Sequence, residues 1–154
     1  MIVESYQTIQ LADSFCHALS AILRRFDIPQ EAERIVLNCR DPNYYRSRQG
    51  LHPVEIQFKR ESNESLWSIA FIASFSYQNN RHDSLDVELY FHLANRWCYQ
   101  PDAGSADLAQ PVVLDLFYSW CSAFERHLAK QALQDIQLTI FANPYRFSHR
   151  ILLL

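Results

Sequence analysis

Three runs between Leu51 and Leu93 decide the fold: VEIQFK (54–59), LWSIAFIASFSY (66–77) and LDVELYFHL (85–93). In the first, Val54, Ile56 and Phe58 alternate with Glu55, Gln57 and Lys59. A period of two marks a half-buried strand, because successive side chains point to opposite faces of a sheet. In the second run Trp67, Ile69, Phe71, Ala73, Phe75 and Tyr77 share one side, and Leu66, Ser68, Ala70, Ile72, Ser74 and Ser76 share the other. Neither side carries a charge, which predicts a central strand with its larger residues turned to the core. The third run sets Leu85, Val87, Leu89, Phe91 and Leu93 against Asp86, Glu88, Tyr90 and His92. The connections 61–65 and 78–83 are short, polar and rich in Asn and Ser, as hairpin turns are. Short connections favour antiparallel neighbours.

Outward from these strands the pattern turns helical. Phe15, Ala18, Leu19, Ile22, Leu23 and Phe26 follow the i, i+3, i+4, i+7 spacing, predicting a helix over 13–26 with Asp13 as its N-cap and Pro29 beyond its end. Residues 1–10 are ambiguous between a longer helix and a lead-in. Ile35, Leu37 and Cys39 suggest a first strand over 34–39, with a helical turn from Pro29 into this run as the alternative. Residues 40–52 lose apolar periodicity and read as a long ordered loop, and 99–109 as a second loop. Val113, Leu116, Phe117, Trp120, Phe124 and Leu128 predict a second helix over 111–133, with Pro111 suited to its first turn. Ile136, Leu138 and Ile140 return to period two over 135–141. The tail 142–154 holds Pro144, ends in Ile151 and three leucines, and is expected to be extended or flexible. The order α-β-β-β-β-α-β implies a two-layer α+β sandwich. It has a mainly antiparallel sheet of about five strands and both amphipathic helices on one face. The places of the first and last strands in the sheet stay open.

At 154 residues the chain is expected to form a single domain, 1–154, able to bury a core without staples. Two glycines, Gly50 and Gly104, are too few for a phosphate-cradling loop, so nucleotide fingerprints are excluded and no cofactor is implied. Net charge is −3, which gives no general attraction to nucleic acid or anionic membranes. The basic residues are nonetheless concentrated: Arg34, Arg40, Arg46, Arg48, Lys59 and Arg60 face only Asp41 and Glu55 over that stretch. Cys16, Cys39, Cys98 and Cys121 form no CxxC and lie in apolar runs, as buried reduced thiols do. No signal-like segment opens the chain and no run approaches a membrane span, so a soluble cytoplasmic protein without a membrane partner is expected.

The RDPNY (40–44) and HPVEI (52–56) segments carry a resemblance. Arg40-Asp41-Pro42-Asn43-Tyr44, then Gly50-Leu51-His52-Pro53-Val54-Glu55-Ile56, then a Trp-containing strand ending Phe75-Ser76-Tyr77, resemble an uncharacterised bacterial family catalogued as domain of unknown function 2787. The resemblance runs from the first helix to the last strand. Two positions depart from the family pattern: Cys39 stands where an aromatic is usual, and Ser74 where an Asp is usual. If that Asp does chemistry in the family, this member lacks it. The resemblance implies a small bacterial α+β domain and no activity.

Three sets of residues are candidates for function. Arg40, Asp41, His52 and Glu55 flank the long loop and supply the parts of an acid/base or phosphate site. The structural alternative is that Asp41 before Pro42 caps a turn and that His52 before Pro53 anchors the strand. Tyr44, Tyr45, Arg46 and Arg48 combine rings with cations, as single-stranded nucleic-acid sites do; the alternative is tyrosines lying back on the fold. Ile72, Tyr90, His92, Thr139 and Phe141 would form an apolar patch on the outer sheet face, a surface for a homodimer or a protein partner. The alternative is that the C-terminal segment folds back and covers it. No metal site is expected, since the six histidines show no HxxxH or HxH spacing and Cys16 and His17 point to different sides of their helix. No GxSxG occurs and no Cys stands in a marked electropositive context; Cys39 beside Arg40 is the one thiol to check. The reading preferred is a non-catalytic binding domain acting through the outer face or the 40–52 loop, ahead of a nucleic-acid-associated protein or a small enzyme.

Overall fold

The computed structural model describes residues 1–79 and 83–141. The expectation for the tail 142–154 lies outside the described residues. A small hairpin, β1 (Ser5–Tyr6) and β2 (Ile9–Gln10), leads into helix α1 (Asp13–Leu23). Strand β3 (Arg34–Arg40) and a short helix α2 (Pro42–Ser47) follow, then strands β4 (Val54–Lys59), β5 (Ser68–Tyr77), β6 (Leu85–His92), β7 (Trp97–Gln100) and β8 (Gly104–Asp107). Helix α3 (Pro111–Ala129) and strand β9 (Asp135–Phe141) close the order. Seven strands pair in one sheet, in the order β8-β7-β6-β5-β4-β3-β9, and every neighbouring pair is antiparallel. The last strand returns from α3 to the edge and pairs with β3 from Arg34↔Phe141 to Arg40↔Asp135.

The fold class is as expected, an α+β sandwich with a mainly antiparallel sheet. The extra strands are β7 and β8, a hairpin over 97–107 that takes up much of the expected loop 99–109. Residues 40–52 are not all loop either, because they contain α2. The α1 helix stops at Leu23 rather than Phe26, and α3 at Ala129 rather than Leu133. Asp13 is not the N-cap: Ala12 holds that position, and the Asp13 carboxylate sits in the first turn, where it favours the helix dipole.

Both long helices lie on one face of the sheet. Phe15, Leu19 and Leu23 of α1 and Phe117, Cys121 and Phe124 of α3 join one core with Ile35, Leu37, Ile56, Phe58, Phe91 and Leu138 of the strands. The helices meet edge-to-face at Phe15 and Phe124, with ring centroids 6.3 Å apart. Each of the fully buried phenylalanines contributes about 1.5–3 kcal/mol of apolar transfer.

Two irregularities in the sheet reassign faces. Gln57 pairs with Phe71 but Phe58 pairs with Ile69, so Ala70 is an extra residue in β5. Ile69 and Ile72 both turn to the core, each fully buried, while Phe71 and Ala73 turn outward. Ile72 is therefore not an outer-face residue, and Phe71 is not a core one. A strict alternation carried through Ala70 gives the wrong face to everything after it. Likewise Ser74 pairs with Leu89 and Phe75 with Val87, leaving Glu88 extra in β6. Leu89, Phe91 and Leu93 remain core residues, while Leu85 and Val87 share the outer side with Tyr77 and Phe75.

Candidate functional site

The segment after β3 is built around Asp41. Pro42 starts α2 with its φ preset and no amide proton to satisfy. Asp41 caps the helix: Oδ1 accepts from the Asn43 N–H at 3.0 Å, and Oδ2 accepts from the Leu51 N–H at 3.1 Å. One carboxylate thus fixes both ends of the excursion. Gly50 closes it at φ +116, where a Cβ would run into Asp41 Oδ2.

The tyrosines of α2 face inward. Tyr44 is buried, its ring 4.6 Å from that of His52 and 5.5 Å from that of Tyr77. Its hydroxyl accepts from the Tyr77 N–H at 3.0 Å, which satisfies the end of β5. Tyr45 packs edge-on to Tyr77, and burial raises its hydroxyl pKa. The Arg48 guanidinium lies 3.3 Å from the Tyr77 ring centre. Of the four binding candidates in this segment, only Arg46 is exposed.

The four acid/base candidates do not converge. Asp41 is a cap. Arg40 and Glu55 stand on the outer face, in register with Asp135 and Asn38. Burial raises the Glu55 pKa, and Arg40 offsets part of that. His52 turns to the helix side, where its Nδ1–H donates to Glu88 Oε2 at 2.7 Å. Ser74 Oγ donates to the same oxygen at 3.3 Å. Cys39 is fully buried and its thiol is pushed up to about 12 by burial, despite a cation nearby.

The outer face carries a row of rings across β5, β6 and β7. Tyr90 is held between Phe71, at 5.0 Å and 25°, and Trp97, at 5.0 Å and 24°. His92 stacks on Trp97 at 5.4 Å and 5°. Offset stacking of this kind adds to area burial. Phe75 and Val87 extend the patch along one side, and Tyr99, opposite Tyr90, along the other. The rings are half-buried, and both long helices lie on the opposite face. Thr139 and Phe141 lie on β9, four strands from β6, so the expected patch divides. Phe141 instead stacks under Arg34, 4.3 Å away.

Sequence reasoning missed Phe71, Trp97, Glu88 and Ser74. Alternation of Trp97 and Tyr99 about Cys98 was a legible strand signal. The bulge that brings Glu88 to Ser74 leaves no mark in the residue types. The basic run is also partly used internally: Arg60 donates to the carbonyls of Ala32, Pro29 and Gln30 at 2.7, 3.0 and 3.1 Å. Among the described residues no group of three or more His, Cys, Asp or Glu is placed to hold a metal. No helix among them is long and apolar enough to cross a membrane.

Fold and surface together define an α+β domain with an aromatic outer sheet face and a capped connection at one end. The chain belongs to the family described as Protein of unknown function (DUF2787), which matches residues 13–139. Two solved structures from Vibrio cholerae share the fold. A hypothetical protein of the VSP-II pathogenicity island is 24% identical, with a TM-score of 0.75, over 85% of this chain and 93% of that one. A conserved hypothetical protein of pathogenicity island VPI-2 is 26% identical, with a TM-score of 0.73, over 90% of this chain and 100% of that one. The latter is described as sharing structural homology with the human P32 protein. No curated protein matches the sequence.

Proposed function

We propose that this protein is a non-catalytic binding domain, folded as one unit, that docks a second copy of itself on the outer sheet face. The observation that carries the reading is the row Phe71–Tyr90–Trp97–His92, half-buried and opposite both long helices. Aromatic clusters with a polar margin are the usual centres of protein interfaces. The margins differ in charge. Arg34, Arg40 and Lys59 outnumber Glu55 and Asp135 on the β9–β3–β4 side, and Asp107 lies beside Trp97 on β8. A two-fold apposition sets the basic margin of one copy over the acidic margin of the other, and each aromatic row against its twin.

The same geometry favours a protein over nucleic acid. Both faces of Tyr90 are taken by neighbouring rings, whereas base stacking needs an open face. Tyr44 is likewise buried, and Tyr45 is half-buried against Tyr77. An enzyme built on Arg40, Asp41, His52 and Glu55 has no common pocket to work in. Analytical ultracentrifugation over a wide dilution series tests the proposal. A reversible monomer–dimer equilibrium supports it, and a monomer at every concentration refutes it.

A further inference from the structure

On the helix side of the sheet, away from the aromatic row, α3 leaves a cleft of about 410 Å3 over β4, β5 and β6. Its walls are apolar, chiefly Val54, Leu89, Trp120 and Phe124, with Ala123 as the small residue in the helical wall. The volume falls within the range of small-molecule sites. The polar groups that line it are His52, Ser74, Glu88 and His127. Glu88 is there because it is the extra residue in β6; bulges commonly re-aim a side chain in this way. Its Oε2 accepts from both His52 and Ser74. Its Oε1 accepts no hydrogen bond from any described residue.

We propose that this cleft binds a small organic cation, an ammonium group on an aryl or alkyl body. The ammonium donates to the vacant oxygen of Glu88, and the apolar body lies against Trp120 and Phe124, whose rings are stacked at 5.1 Å and 13°. A carboxylate or phosphate ligand would meet the Glu88 charge, and a wholly apolar ligand would desolvate that oxygen without replacing its water. His127 opposes the cation little: burial, together with Arg126 and Lys130, lowers its pKa and disfavours the imidazolium. Arg126 and Lys130 are themselves exposed, so solvent screens them. This site is separate from the outer face, and its fate is independent of the dimer proposal.

The test is an NMR titration of the full chain with phenethylamine and, in parallel, with phenylacetate, following the indole N–H of Trp120. Phenethylamine is expected to shift that signal saturably and phenylacetate to leave it in place. Glu88→Gln, which keeps the shape and removes the charge, is expected to weaken phenethylamine about tenfold or more. Ala123→Leu leaves every polar partner intact, fills the cleft and suits a helix, so it is expected to abolish binding in a protein with unchanged circular dichroism. Three results would overturn the proposal: no saturable shift with phenethylamine, equal binding of phenylacetate, or undiminished affinity in either variant.

Discussion

If Asp41 is a structural clamp rather than a catalytic acid, its loss should appear in stability, and it should be coupled to Gly50. Asp41→Ala removes the α2 cap, worth about 1 kcal/mol. It also leaves the part-buried Leu51 N–H unpaired, worth about 1–2 kcal/mol more. The expected total is about 2–3 kcal/mol, a fall in Tm of roughly 5–10 °C for a chain of this size. Gly50→Ala strains a backbone at φ +116 and drives a Cβ into the Asp41 carboxylate, pushing it off both donors. The strain alone is worth about 1–3 kcal/mol. The carboxylate can be displaced only once, so the double variant should cost less than the sum of the singles by about 1–2 kcal/mol. Urea unfolding of the four proteins, followed by circular dichroism, reads this directly. Additivity to within about 0.5 kcal/mol would refute the clamp.

Three further perturbations follow from the same structure. Glu55 is held above the ordinary carboxylate range by burial, so its stability contribution is present at low pH and is lost as pH rises through the raised value. Glu55→Gln should therefore raise Tm at pH 7, and the gain should vanish below the ordinary carboxylate pKa. Arg60→Lys replaces a guanidinium that serves three carbonyls and lies 4.1 Å over Trp67. A single ammonium cannot reproduce that fork, so a loss of about 1–3 kcal/mol is expected in chemical denaturation. All four cysteines are buried, and burial raises every thiol pKa, Cys16 to about 11 and Cys39 to about 12. Native protein should react with a disulfide reagent only as fast as it opens, and one rapidly labelled thiol would contradict this.

What the sequence made legible depended on charge. In β4 the charged Glu55 and Lys59 mark the wet side, and Val54, Ile56 and Phe58 are core residues as the alternation requires. In β5 neither side carries charge, so nothing in the residue types reveals that Ala70 is extra, and Phe71 and Ile72 exchange faces. The aromatic row was half-visible for this reason. Tyr90 and His92 can be read from alternation in β6, but the same alternation carried along β5 puts Phe71 in the core. Asp41 as a turn-forming cap followed from its place before Pro42. The partner across the excursion, the Leu51 amide ten residues on, did not, because it depends on how the chain returns. The His52–Glu88 pair spans thirty-six residues and rests on a bulge. Pairings of that kind are set by sheet register, which local sequence specifies weakly where, as in β5, neither face carries a charge.

The central claim is that the outer-face ring row is a self-association surface. Light scattering coupled to size-exclusion chromatography tests it most directly, on the intact protein, on Tyr90→Glu, and on Arg46→Glu as a control at the exposed end of α2. The account predicts a dimer for the intact protein and the control, and a folded monomer for Tyr90→Glu. An intact protein that elutes as a monomer, or a Tyr90→Glu protein that remains a dimer, would contradict it.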